Sequence, residues 1–334
     1  MSFPRLSRAS RHWLASAVVV LLVTIFLIAS AAIHRNSSAA RNAIPLRGPE
    51  LLAPPDSLPI LFPDSLLQPL RLLVDAQFQT KLNKVIAGNK KWARLSKGNK
   101  MAVAVVDLRD PYHAKFARIN GNNMMYAASL PKIAVLLAAM DALEKGELEE
   151  TDEVHTDMQL MIGRSDNAAS TRMIDRLGYD KIASVLRDPK YDLYDEEYGG
   201  GLWVGKRYAK TGARNPDPLK GLSHAATATQ VARYYYLMAF GKLVNYDRSK
   251  QMLDIMTDPA LHHKFVNTLD TVAPSAKLFR KSGSWRTYHS DSVLVWGSTW
   301  RRYILVALVD DAEGEKILRQ LMLEVDKMMK PSAR

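Results

Sequence analysis

The stretch YAASLPKIAVLLAA, residues 126–139, constrains this chain more tightly than any other. Pro131 has no amide N–H to give to a helix ladder, so it belongs in a first turn. The apolar run 133–140 then forms the buried body of a helix, with Ser129 at or next to its N-cap. Ser129 and Lys132 stand at i and i+3, on one face about one turn apart. A capping serine followed by a surface lysine satisfies the same pattern. Alone, this motif decides nothing.

The 334 residues suffice for one large domain or two average ones, and 47% hydrophobic content supports a sizeable core. There are no cysteines, which excludes disulfides, thiol catalysis and cysteine-based zinc sites. His262, His263 and His289 form no ligand set and there is no H-E-x-x-H, so neither metal nor cofactor is expected. The net charge of +12 favours anionic surfaces such as lipid or cell-wall polymer. No nucleic-acid motif accompanies it, and a monomer is expected.

Residues 1–12 are basic through Arg5, Arg8 and Arg11, and residues 13–33 carry no charge over 21 positions. That run is long enough to span a bilayer, and the basic flank is that of a signal sequence or signal anchor. Ala29-Ser30-Ala31 offers a small-residue cleavage site, so a removed signal peptide and a retained anchor both remain open. Either way the rest of the chain is expected outside the cytoplasm, membrane-anchored and facing the periplasm or exterior, or secreted. Residues 34–70 read as a tether, because seven of the 16 prolines fall there. The spacing of its apolar residues lets it lie against the folded body.

From residue 71 the pattern is that of one α/β domain running to 334. A helix is expected over 70–86, then strands at MAVAVVDL and at 115–119, the helix opened near Ser129, and short helices over 150–187. Residues 188–222, rich in Gly, Asp, Tyr and Pro, read as irregular. A helix follows in ATATQVARYYYLMAFGKLV, then strands in AKLFRKSG, DSVLVWGS and RRYILVALVD, and a last helix over 313–330. Strands at both ends of the domain imply one sheet built from both chain ends, with a helical subdomain of about 129–265 inserted.

Two further motifs lie downstream: Ser165-Asp166-Asn167, which also suits a helix cap, and Lys281-Ser282-Gly283 at the end of an apolar strand. S-x-x-K, S-D-N and K-[TS]-G in this order resemble the motif set of the penicillin-recognising serine enzymes, most of all class A β-lactamases. The resemblance covers about residues 71–334. It implies an α/β fold with a mainly antiparallel sheet, an all-helical subdomain, and a site between them. Lys210-Thr211-Gly212 matches the third motif more literally, but it lies in a loop with no strand before it. Gly200 to Lys206 reads as a phosphate loop only until Arg207, where Ser or Thr would be required.

A serine hydroxyl needs a nearby base, and Lys132 can be one only if burial or a second cation lowers its pKa. Lys281 would be such a cation. By resemblance, Ser129 is the nucleophile, Ser165 relays a proton to the leaving group, and Asn167 binds the substrate amide. Ser282, Gly283 and Ser284 line the substrate strand, the two serines holding its carboxylate. The N–H groups of Ser129 and Ser284 form an oxyanion hole.

The class A deacylation pattern E-x-x-L-N is absent, and Glu196 and Glu197 are the nearest candidates for that base. The class A arginine for the substrate carboxylate has no match either. Asp291 falls near its place, and Arg286 is a substitute candidate. The expected function is therefore a serine acyl-enzyme hydrolase that hydrolyses, or is acylated by, β-lactams. A D-alanyl-D-alanine peptidase or penicillin-binding protein acting on peptidoglycan is the alternative. A non-catalytic wall- or β-lactam-binding protein is the second.

Overall fold

The computed structural model describes residues 57–331. The basic terminus, the apolar run and the tether up to residue 56 lie outside the described residues. Two helices come first, α1 (Ala76–Ala87) and α2 (Lys90–Lys97), capped by the side chains of Asp75 and Asn89. The strands β1 (Met101–Asp107) and β2 (Lys115–Ile119) follow, then the short β3 (Met125–Tyr126). The helical part comprises α3 (Lys132–Glu144), α4 (Asp152–Gly163), α5 (Asn167–Leu177) and α6 (Tyr179–Arg187). Four two- or three-residue strands are next: β4 (Tyr194–Asp195), β5 (Gly200–Gly201), β6 (Trp203–Val204) and β7 (His224–Ala226). After them come α7 (Ala228–Ala239), α8 (Tyr246–Met256) and α9 (Phe265–Val272). The chain closes with β8 (Lys277–Trp285), β9 (Tyr288–Trp296), β10 (Arg302–Asp310) and α10 (Gly314–Met329).

The main sheet has the order β2-β1-β10-β9-β8 and is antiparallel throughout, so both ends of the domain meet in it. Side-chain alternation explains why its strands read as unbroken apolar runs. In β1, Met101, Val103 and Val105 pack with the terminal helices α1, α2 and α10, while Ala102, Ala104 and Val106 face the core of α3 and α7. In β10, Tyr303, Leu305 and Ala307 take the first face and Ile304, Val306 and Leu308 the second. Helix α3 is buried from Lys132 to Leu143, as expected for the centre of the helical layer.

The structure departs from the sequence expectations in two places. The expected helix 70–86 is a 3-10 turn (Leu70–Leu73) followed by α1, and α2 was not anticipated. Ser129 lies before the cap of α3, which is Pro131, in a run of tight turns in which Lys132 N donates to Ser129 O (3.3 Å). The tether from residue 57 packs on α7, as its apolar spacing allows: Ile60 N donates to Ala239 O (2.7 Å) and the Phe62 ring meets Phe240 edge-on at 4.9 Å.

A buried ion pair fixes the base of β8. Arg280 donates to both carboxylate oxygens of Asp291 on β9 (2.7 and 2.9 Å), and the pair is almost solvent-free. Removing one partner leaves the other charge buried alone. Asp291→Ala should therefore destabilise the fold by about 3–5 kcal/mol, read by denaturant unfolding. A loss below about 1 kcal/mol would place the pair outside the stability of this sheet.

Candidate active site

Edge strand β8 meets the turn before α3 through Gly283. A Cβ on Gly283 would lie 2.3 Å from Ala127 O, 2.6 Å from Ser129 N and 2.8 Å from Leu130 N. All three are backbone atoms, so only glycine allows the strand this close. Ser290 on β9 ties the same turn down, its hydroxyl donating to Ala127 O (2.8 Å). Ala128 stands at φ 52°, a left-handed conformation, and Ser165 at φ 56°. Such strain persists where the surroundings over-determine it.

Ser129 is half-buried at the wall of a cavity of about 900 Å³, and its hydroxyl has no hydrogen-bond partner among the described residues. Lys132 is fully buried. Its ammonium donates to Ser165 O (2.6 Å), Asn167 Oδ1 (2.9 Å) and Asp166 O (3.2 Å), and reaches Ser165 Oγ at 3.5 Å. Lys281, from the face of β8 that carries Gly283, donates to the same Ser165 Oγ at 2.8 Å. Burial pushes Lys132 down to about 7, with the Asp166 carboxylate pulling the other way. Lys281 lies well below the usual lysine value, through burial first and the neighbouring Lys132 second. Neither lysine has an ion-pair partner among the described residues.

The three motifs thus converge on one hydroxyl. Ser129, Asn167 and Ser284 line the cavity, as does Arg286. Ser282 does not. It is buried and shares a hydrogen bond with His263 Nε2 (3.3 Å). Glu196 and Glu197 are exposed on a 3-10 turn and line no part of the cavity. Glu196 is paired to Arg187 (2.9 Å). Lys210 sits in a loop at the cavity wall, without the strand that carries Lys281.

Sequence reasoning missed Tyr208 and His224. The Lys132 ammonium lies 4.4 Å from the centre of the Tyr208 ring, and the phenol donates to Ala128 O (3.2 Å). Burial raises that phenol far above its ordinary value, so it stays neutral. His224 Nε2 donates to Lys206 O (2.9 Å), which leaves Nδ1 to accept from Ser223 Oγ (3.1 Å). Burial lowers this imidazole to about 4. Both residues lie in or after the irregular segment, where no periodicity marks them. Among the described residues no Asp or Glu lines the cavity, whereas Lys206, Arg207, Lys210 and Arg286 do.

The profile of the β-lactamase enzyme family, Beta-lactamase2, matches residues 77–159 and 153–327. The chain belongs to the β-lactamase enzyme family. Its fold is similar to the β-lactamase of Sphaerobacter thermophilus, with a TM-score of 0.58 at 15% identity over 75% of this chain and 95% of that one. It is also similar to PBP-A, with a TM-score of 0.54 at 17% identity over 81% and 98%. A PBP-A variant solved as an acyl-enzyme with penicillin G gives a TM-score of 0.56 at 18% identity over 78% and 98%. No curated protein matches the sequence. The class A β-lactamase-like architecture, a five-stranded antiparallel sheet made from both chain ends with an inserted helical part, is therefore the fold of this family member.

Because three backbone atoms crowd the Gly283 position, Gly283→Ala should drive β8 away from the Ser129 turn. The expected loss is about 1–3 kcal/mol of stability, as for an overpacked site. It should appear as a lower melting temperature with weaker modification of Ser129. Unchanged stability and modification would mean that the strand does not need this close approach.

Proposed function

We propose that this protein is a serine acyl-enzyme hydrolase acylated by β-lactams at Ser129, with an ester intermediate that hydrolyses slowly. This is a penicillin-binding or D-alanyl peptidase type of behaviour rather than that of a fast β-lactamase. The convergence of Lys132 and Lys281 on Ser165 Oγ carries the reading, with Ser129 on the wall of the cavity that Asn167, a partner of Lys132, also lines.

In this reading neutral Lys132 takes the Ser129 proton as Oγ attacks the carbonyl carbon. The N–H groups of Ser129 and Ser284 hold the developing oxyanion. As the C–N bond breaks, Ser165 gives its proton to the leaving nitrogen and is reprotonated from a lysine ammonium. Asn167, on the cavity wall, binds the amide of the acyl portion. Water then has to open the ester. The cavity offers that step no carboxylate, a neutral Tyr208, and a His224 whose two nitrogens are both engaged. Slow deacylation follows. The physiological substrate would be a peptidoglycan-type amide, reached outside the cytoplasm by a secreted or membrane-tethered enzyme, as the apolar run 13–33 favours.

A fluorescent penicillin tests the assignment. The wild type should be labelled covalently and Ser129→Ala should not, and persistent labelling of that variant would remove Ser129 as nucleophile. Lys281→Ala should lower the acylation rate by about 10²–10⁴-fold, and Lys210→Ala by much less. The reverse order would reassign the third motif.

The pH profile follows from Lys132. Above about 7 it is mostly the free base, and below that it is protonated and cannot accept the Ser129 proton. Acylation should thus rise with pH below about 7, roughly tenfold per unit for a single titrating base, and level off above. A flat rate from pH 5.5 to 8 would exclude Lys132 as the base.

A further inference from the structure

A third buried lysine lies behind the strand. Lys264, at the start of α9, is 0% exposed and has no ion-pair partner among the described residues. Its ammonium donates to the carbonyl oxygens of Gly283 (2.5 Å) and Ser290 (3.0 Å). Its backbone stands at φ 56°, ψ −120°, a conformation that suits glycine and is strained for a lysine. The surroundings enforce it. Asp291 accepts from Phe265 N (3.0 Å), and Arg280 holds Leu261 O (3.0 Å) and His263 O (3.2 Å), so the whole turn is clamped to β8 and β9.

Both the strain and the burial of an ammonium among carbonyls oppose folding. The carbonyl that Lys264 holds most closely belongs to the peptide unit joining Gly283 to Ser284. In a planar trans peptide the C=O and the following N–H point in opposite directions. A cation on the Gly283 oxygen therefore fixes the direction of the Ser284 N–H and polarises it as a donor. Burial lowers the Lys264 ammonium only to about 8, with Asp291 supporting the charge, so it is largely protonated at neutral pH.

We infer that Lys264 is a positioning residue for acyl transfer: from behind β8 it orients and strengthens the Ser284 N–H that receives the oxyanion. It touches neither the cavity nor the substrate. The inference rests on the proposed function, because it needs Ser129 to be the nucleophile and Ser284 N–H to face the developing charge. It adds that a buried charge behind the peptide, outside all three motifs, sets the strength of that donor.

The test separates binding from chemistry. Rapid-mixing kinetics with a penicillin give the dissociation constant of the first complex and the acylation rate constant separately. Lys264→Met, of similar length and without charge, should lower the acylation rate constant at least tenfold and leave the dissociation constant within about twofold. Affinity for a boronic acid, whose tetrahedral adduct places an oxygen in the same position, should fall in parallel. A support that only holds the strand in place would instead weaken binding and melting temperature together. Should Lys264→Met not fold, Lys264→Gln keeps a donor for the carbonyls while removing the charge, and at least a threefold fall is expected. Either folded variant acylating at the wild-type rate would overturn the inference. A wild type that is never acylated would overturn the proposed function instead.

Discussion

Two buried lysines meet on one serine hydroxyl, and most of this structure serves to hold them there. Lys132 and Lys281 are both removed from water, and among the described residues no carboxylate forms an ion pair with either. Two ammonium charges this close in a medium of low dielectric repel strongly, and burial penalises each one separately. Burial holds Lys132 down to about 7, and burial first and Lys132 second hold Lys281 well below the usual lysine value. The same repulsion and desolvation oppose folding. The apolar sheet and the buried helix α3 offset them.

Getting the lysines to Ser165 takes three chain segments far apart in sequence. Pro131 and the tight turns before it end α3 so that Lys132 projects inward. Asp166 caps α5 and leaves Ser165 in a left-handed turn, its hydroxyl facing both ammonium groups. Gly283 lets the edge strand lie against the Ser129 turn, and that approach carries Lys281 alongside. Behind the strand, Arg280, Asp291 and Lys264 form a charged support with little solvent contact, in which each polar group is held by hydrogen bonds. The face of β8 that carries Lys281 and Gly283 meets the Ser129 turn and Ser165, while Arg280 on the other face belongs to the support.

Part of this arrangement could be read beforehand. The sheet from both chain ends, the inserted helices, and the meeting of Lys132, Ser165 and Lys281 all follow from local patterns: periodicity, a proline at a helix start, and short motifs in order. Ser282 hydrogen-bonds His263 and is absent from the cavity wall, a placement that a motif naming residue types does not specify. Glu196 and Glu197 were nearest in sequence to the expected base, yet their turn lies in solvent. Tyr208 over Lys132 and Lys264 behind Gly283 carry no sequence signal. Each sits in an irregular stretch, and its importance comes from a contact with a residue distant along the chain. The same absence of pattern hid the lack of carboxylates on the cavity wall among the described residues.

The intact mass of the protein after mixing with penicillin G, followed from seconds to hours with peptide mapping, bears most directly on this chemistry. Addition of one whole ligand on the peptide containing Ser129, persisting for hours, is the predicted result, since ring opening releases nothing and the cavity supplies no ready base for water. Return to the free mass within seconds, with continued consumption of penicillin, would contradict the account and mean that a group other than a cavity-wall carboxylate activates water. No gain in mass at all would leave the fold intact and contradict Ser129 acylation.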